Sequence, residues 1–549
     1  MKNQINDLEI SLISHASILI KVDDIQILTD PWFFGTAFND GWELNPTPNL
    51  DLIKSRIADV NIIWISHEHP DHLHFPTLKW LSENLNNKPS IYFQKNNSGK
   101  VFDALKKFGY EVFVDMPHMK KLDVSKRVKI ACYAHRQLDS SLGVFVDDQF
   151  WLLNINDTEL NQKDTSLINK YFGNPSVIYN QFSIAGSTGI EEDLENDASN
   201  VLHKMIDHHK ELEAKLTVPF ASYVKFARSD NNYMNKYSNN PLDVKKRFEN
   251  EDLEFCLQSY NTGPLKWKTI NDLPINIEKI NIDSTKELDL NTNELDDSYS
   301  YASVQRDNVK ELIENKINIW HNSTNKIVWK LLNLGKLKFS ITDWDDEVWE
   351  CDFKKGIFTR SAKEDNPDIY IASQPLAYAF QMPFGIQTLG VSGRYKFAEN
   401  HIQVPSTWKK VRVISSLFNA EIHPQLGGGF RNLIGGFYKW HFYYFSYSDF
   451  LNLFLCFLLS IVVPIYIFEN FRILKIININ SNLKSNYLFF FIPTLICFLA
   501  LDHGRNISLI SNHILVFYMT LNLNRIKFNN LIIKIEKNLI YCFFIAIFV

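Results

Sequence analysis

The sequence predicts an α/β fold of sheets covered by helices, followed by a second α+β domain and a hydrophobic helical tail. Three observations carry this expectation. Up to about residue 265, short apolar runs alternate with polar loops and amphipathic segments, the pattern of strands interleaved with covering helices. From Tyr301 to Gly436 a helical period in "VKELIENKINIW" precedes strand-like runs such as "KLKFSITDW" and "GIQTLGVSGRYKF". Beyond residue 437, long uncharged runs dominate. With 549 residues the chain also exceeds what one hydrophobic core usually supports.

In chain order, the strands expected in the first zone are "SILIKV", "IQILTD", "VNIIWIS", "SIYFQ", "EVFVDM", "RVKIACY", "GVFVDD", "FWLLNIND", "SVIYNQF" and "LTVPFASY". They assign residues 1–265 to one catalytic domain. The polar, acidic stretch Ile275–Ser300 reads as an exposed connection, so 266–300 is assigned as a linker and 301–436 as an accessory domain. Within the latter, Asp343, Asp345, Asp346 and Glu347 lie close together without the glycine and spacing of a calcium loop, and read as a charged turn. Residues 437–549 are assigned as a membrane-spanning helical tail. Phe450–Phe468 has no charge over nineteen positions, about enough to cross a bilayer core of ~30 Å. Two shorter apolar runs, Tyr487–Leu501 and Ile507–Leu521, follow. The expected location is a membrane, with the catalytic domain on the cytoplasmic side.

Composition narrows the function. Charged residues make up 22% of the chain and the formal net charge is −5 without charge blocks, which argues against a nucleic-acid partner. The six cysteines lie far apart with no C-x-x-C pair, as expected of unpaired thiols in a reducing compartment. The N-terminus has no basic start leading into an apolar core and a cleavage site, so no signal peptide is expected.

The chemistry concentrates in "WISHEHPDHLHFPTL", Trp64 to Leu78. The preceding run is of the kind that forms a strand buried on both faces, and "FPTLKWLSENL" has helical spacing. The ligating groups therefore sit on a strand-to-helix loop, a common position for catalytic side chains. His67 and His69, two positions apart in an extended segment, can point to one side and bind one metal ion. Pro70 helps turn the chain, after which Asp71 and His72 can face a second ion.

This H-x-H-x-D-H pattern after an apolar strand, with "HASILI" and "ILTDPWF" upstream, resembles the metallo-β-lactamase superfamily, in its broad branch of metal-dependent hydrolases. "DPWFFGTAFNDGWELNPTP", "HRQLDSSLGVFVDD", "LLNINDTEL" and "NQFSIAGSTG" are similar to segments of the CMP-N-acetylneuraminate hydroxylases and their bacterial relatives. The resemblance implies an αββα sandwich. It implies that His135 completes the first metal site with His67 and His69, that Asp157 bridges the two ions, and that Asp30 supports the metal loop. His15 is placed on the pocket floor and His118 in a nearby loop. The last histidine of the second site has no counterpart: the strand "KLTVPFASYVKF" offers only Ser222 and Tyr223 there, and His203, His208 and His209 read as a solvated helix face.

The hydroxylases also carry a Rieske iron–sulfur domain, whose ligands are a C-x-H followed by a C-x-x-H; this sequence has no C-x-H, and its one C-x-x-H, Cys132–His135, therefore has no partner. The reading is therefore a hydrolase using Zn2+ in one or two sites, with Mn2+ or Fe2+ as alternatives and no iron–sulfur cluster. Asp71 and Asp157 would orient the metal-activated water. The expected substrate is a small anionic sugar, a nucleotide-sugar or a glycan or lipid-linked molecule. Lys225, Arg228 and Arg136 are candidates for its anionic groups, with surface ion pairing as the competing role. Trp32 and Trp42 are expected in packing rather than sugar stacking. The alternative is an oxidoreductase component that receives electrons from a separate iron–sulfur protein.

Overall fold

The structure is a computed structural model. It describes residues 8–417 apart from 96–98, 136–138, 292–298, 324–328, 330–333, 362–365, 399–406, 408–409, 412–413 and 415–416. The tail assigned to 437–549 lies outside the described residues. Among those described, no helix is long and apolar enough to cross a membrane.

Two sheets face each other across the main core. The first has seven strands in the order Leu265–Lys266, Leu8–Ser14, Ser17–Val22, Ile25–Thr29, Ile62–Ile65, Ser90–Gln94 and Phe113–Met116. The second has six: Leu216–Phe220, Val177–Gln181, Gln149–Asn156, Asp139–Val146, Val128–His135 and Leu122–Asp123. Strand alternation explains the layers. Ile62 and Trp64 join Ile18, Ile20, Ile130, Val144 and Tyr179 between the sheets. Ile63 and Ile65 point the other way, onto Ile53, Leu78, Leu81, Val101 and Leu105 of the helices Leu50–Arg56, Phe75–Asn84 and Lys100–Lys106. On the far face of the second sheet, Phe145, Leu153 and Ile178 pack with Ile168 of the helix Gln162–Phe172. The result is the four-layer αββα sandwich.

The boundary assigned at residue 265 is corrected. Leu265–Lys266 pairs antiparallel with the strand Leu8–Ser14, and Trp267 is buried. Residues 277–291, expected within the linker, form a helix. Its Ile280, Ser284 and Leu288 are buried at i, i+4, i+8. The polar composition belongs to the helix's outer face, which a composition average cannot separate from a linker.

The described residues from Tyr301 to Leu417 form an α+β layer. A five-stranded sheet (Ile357–Arg360, Glu347–Asp352, Lys336–Ile341, Ile369–Ile371, Lys396–Phe397) packs with the helices Arg306–Ser323 and Ser373–Gln381. Val309, Ile313, Ile317 and Trp320 line the first helix's buried face. The four acidic residues flank the turn into the strand Glu347–Asp352, as expected, and Asp343 accepts from both Ser373 N and Ser373 Oγ.

This layer and the sandwich belong to one compact unit, residues 1–419. The seam between them is tight. A Cβ at Gly41 would come within 2.6 Å of Ser392 Cβ, and one at Gly186 within 2.9 Å of Gly390 O. We expect Gly41→Ala to cost about 1–3 kcal/mol, as overpacking does, with a matching fall in the denaturant midpoint. A wild-type midpoint would show that the seam yields freely.

Candidate metal centre

The functional side chains collect where strands of both sheets end. The strand Ile62–Ile65 lies parallel to Ile25–Thr29, which brings Asp30 beneath the loop that begins at Ser66. After His69 the chain reverses: His72 N and Leu73 N both donate to His69 O, at 3.0 and 2.7 Å. This turn at Pro70 sends Asp71 and His72 back into the protein. His74 then caps the helix Phe75–Asn84 by accepting from Thr77 N, with a proline in the helix's first turn.

Asp30 is the fully buried anchor of the loop. Its Oδ1 accepts from Ser66 N at 2.7 Å. Its Oδ2 takes Ser66 Oγ at 2.8 Å and Asn156 Nδ2 at 2.5 Å, and faces His72 Nδ1 at 3.1 Å. The contact to Nδ1 leaves His72 Nε2 aimed into the cluster, the arrangement in which a carboxylate fixes a ligating imidazole.

Among the described residues, three sets of possible ligands result, with ligand atoms inside each set within 4.8 Å of one another: His67, His69 and Asp139; His15, Asp71 and His72; and His67, His72 and Asp157. His67 Nε2 and His69 Nδ1 are 2.7 Å apart, and Asp139 Oδ1 lies 3.6 Å from His67 Nε2. His72 Nε2 lies 3.1 Å from Asp71 Oδ2 and 3.2 Å from Asp157 Oδ2. His15 Nε2 approaches the same Asp71 oxygen at 3.3 Å. Asp157, shared in space with His67 and His72, thus stands between the other two sets.

The electrostatics suit a cation. Burial, with the His72 and His69 imidazoles beside it, holds His67 well below the usual histidine range, and burial likewise lowers His69. Both are neutral at neutral pH, the form that ligates. Burial opposes ionisation of Asp71, but His72 and hydrogen bonds from His15 and His72 keep its carboxyl well below the usual range. Burial also opposes charge on His72, and Asp71, Asp157 and Asp30 outweigh it and raise its proton affinity. Asp139 is pushed up to about 7 by burial and then by Asp157. The carboxylates that hold a proton on His72 supply the negative field a divalent ion needs.

A metal fits the donor set. Asp71 Oδ1 and Asp157 Oδ1 are buried oxygens with no hydrogen-bond partner among the described residues. Unpaired buried carboxylate oxygens are costly unless something coordinates them, and imidazole nitrogens together with carboxylate oxygens are the ligands of zinc and similar ions.

The structure therefore brings His67, His69, Asp71, His72 and Asp157 together, with Asp30 below and His15 at their side. His135 is the exception. It ends the strand Val128–His135, where its Cα partner across the hairpin is Asp139. Its Nδ1 faces Asp164 Oδ2 at 3.5 Å. Asp139, rather than His135, closes the His67–His69 set. The two residues are Cα partners where the strands Val128–His135 and Asp139–Val146 meet, and the ligand sets found among the described residues include Asp139 and not His135. Asp139 was legible only as part of "HRQLDSS". His15, expected on the pocket floor, supplies the second imidazole beside Asp71, which the strand around Ser222 does not.

Ser222 Oγ accepts from Phe182 N and Ser183 N, and Tyr223 OH donates to Gln258 O, so both are structural. His203 is exposed. His208 and His209 are buried instead of solvated, Nε2 of one against Leu160 O and Nδ1 of the other against Thr217 Oγ1. His118 Nδ1 accepts from Ala134 N. Lys225 and Arg228 both lie against Glu43, at 3.8 and 3.9 Å. Arg136 lies outside the described residues. Trp32 and Trp42 are buried with ring centroids 5.5 and 6.3 Å from His15, so they pack behind the site.

Residues 9–127 match the β-lactamase superfamily domain. That span includes His15, Asp30 and the whole His67–His72 loop. Among curated proteins, the cytidine monophosphate-N-acetylneuraminic acid hydroxylase of Danio rerio is 26% identical over 48% of this chain and 46% of its own length. The same-named protein of Asterias rubens is 38% identical over 22% of this chain and 18% of its own length. The chain thus spans less than half the length of these relatives. Among solved structures, a metallo hydrolase from Ignicoccus hospitalis is 13% identical with a TM-score of 0.33, covering 48% of this chain and 99% of that one.

Proposed function

We propose that this chain, whose residues 9–127 carry a β-lactamase superfamily domain in a metallo-β-lactamase-like α/β fold, is a metal-dependent hydrolase. Its substrate is an anionic sugar, nucleotide-sugar or lipid-linked molecule. The observation that carries the reading is the convergence of His67, His69, Asp139, His15, Asp71, His72 and Asp157 at one set of strand ends. His67, His69 and Asp139 would hold one ion, His15, Asp71 and His72 a second, and Asp157 would reach both. Zn2+ is the expected ion, with Mn2+ or Fe2+ compatible with the same donors. A bound divalent ion of this kind supplies Lewis acidity and lowers the pKa of its water from 15.7 towards ~7.

The chain's residues supply the rest. Asp71, in reach of both His15 and His72, is placed to orient a water and take its proton. Asp157, in reach of His67 and His72, would orient that water as well. Asp30 fixes the His72 ring. The nucleotide-sugar class is supported by the names of the hydroxylase relatives. Those names also favour a second reading, an oxidoreductase component supplied with electrons by a separate iron–sulfur protein. The apolar run Phe450–Phe468 supports tethering to a membrane, and the six widely spaced cysteines favour a reducing compartment, the cytoplasmic side, for the catalytic region.

The test is turnover of CMP-N-acetylneuraminic acid by the metal-loaded full chain in 18O-labelled water. Hydrolysis incorporates label from water without oxygen or reductant, stops with chelator and returns with metal. Oxygen incorporated from O2, only with a reductant and an added iron–sulfur protein, would favour the second reading. No turnover under either regime would oppose the proposed substrate class.

A further inference from the structure

In the His67, His69 and Asp139 set, His69 is the member with the most surface exposure, although its ring is largely desolvated; His67 beside it is buried. The His69 ring is held on one side by His67, and it also meets Phe38. The Phe38 ring stands edge-on to His69 at 5.9 Å and to Trp42 at 4.8 Å. Phe38 lies in an unusual segment: Phe38, Asn39 and Asp40 take φ of 51°, 56° and 53° in succession. L residues avoid a left-handed run, and a bulky one avoids it most. Such conformations persist where surrounding structure over-determines them.

The surrounding structure here belongs largely to the α+β layer. The side-chain amides of Asn39 and Gln374 pair reciprocally, at 3.2 and 2.9 Å. Arg394 Nη1 donates to Asn39 O at 3.1 Å and to Gln374 Oε1 at 2.8 Å. Arg394 is itself 2% exposed, with its guanidinium held by Asp230 through Nε at 2.9 and 3.0 Å and Nη2 at 2.9 Å. Trp42 Nε1 donates to Val391 O at 3.2 Å. From the sandwich, Arg228 Nε donates to Asp40 O at 2.7 Å and Thr36 Oγ1 to Asp40 Oδ1.

We propose that the α+β layer acts on the metal centre by clamping the left-handed turn Phe38–Asp40, and that Gln374 and Arg394 are positioning residues that set His69 through Phe38. The importance of His69 rests on the metal-site reading above; the mechanical link does not. The accessory layer thereby acquires a role at the metal centre. Any ligand or modification that displaces Gln374 or Arg394 would be felt at His69.

The experiment uses the full chain and two readouts. The first, independent of metal, is carbethoxylation of His69 by diethyl pyrocarbonate, mapped by mass spectrometry against exposed His203 as internal reference. Gln374→Ala raises the His69 rate about five- to tenfold, Phe38→Ala does the same, and the double variant adds little, because both act on one contact. Gln374→Glu, which keeps acceptors for Asn39 and Arg394, stays near the wild-type rate. The second readout is Co2+ binding, weakened about tenfold in Gln374→Ala with an altered visible spectrum, the size expected of a group that orients a ligand. Asn39→Ala serves in place of Gln374→Ala if the latter unfolds. A wild-type His69 rate in these variants, or additive effects of Phe38 and Gln374, overturns the proposal. Coupled His69 rates in a protein that binds no Co2+ would uphold the clamp and count against the metal reading alone.

Discussion

Asp30→Ala is expected to cost about 3–5 kcal/mol of folding stability, the scale for removing one member of a buried, hydrogen-bonded charge network. The carboxylate is fully buried and serves Ser66 N, Ser66 Oγ, Asn156 Nδ2 and His72 Nδ1. Its loss leaves those groups without their acceptor, far from water, and each unsatisfied donor is penalised. It also unties the metal loop from the strand Gln149–Asn156. Metal affinity should therefore fall by about 10–100-fold, as it does when a carboxylate behind a ligating histidine is removed. Denaturant unfolding of the metal-free protein and a metal titration measure the two effects separately. A loss under about 1 kcal/mol would mean that water replaces Asp30, and its structural role would be withdrawn.

Asp71→Asn is expected to have the largest effect on activity, a fall in turnover of about 10²–10⁴, the usual range for removing a general base. The substitution keeps the shape and deletes the charge between His15 and His72. It also predicts a pH signature in the metal-free protein. Asp71 is held well below its ordinary range, so its contribution is present above the unfolded carboxylate pKa and is lost as pH falls through the lowered value. His72 is raised, so its contribution is complete below the unfolded histidine pKa and disappears as pH rises through the raised value. Between those limits wild type should be more stable than D71N, with the difference shrinking at both ends. A pH-independent difference would show that Asp71 and His72 do not form a charged pair.

How much of this is legible in the sequence depends on the range of the determining contact. The strand "VNIIWIS" and its loop were legible because alternation, burial on both faces and the ligand spacing are local properties. The fate of Ile275–Ser300 was not: its buried stripe of Ile280, Ser284 and Leu288 is diluted by acidic residues on the outer face. Among ligands, the loop histidines were legible at once, while Asp139 depends on the register of a hairpin whose other arm ends in His135. His208 and His209 misled for a related reason. Each is buried by a partner distant in sequence, Leu160 and Thr217, and the helix pattern alone shows only their charged neighbours. The contribution of the α+β layer was invisible, because Asn39 meets Gln374 across 335 positions of chain.

The central claim is that these strand ends form a metal centre, and metal content tests it most directly. Elemental analysis of the purified full chain, after reloading with Zn2+, should give about one to two equivalents of metal per chain. The variant with His67→Ala and His69→Ala together should lose the ion held with Asp139. A folded wild-type protein that retains no metal after reloading, or a double variant that retains as much as wild type, would contradict the account.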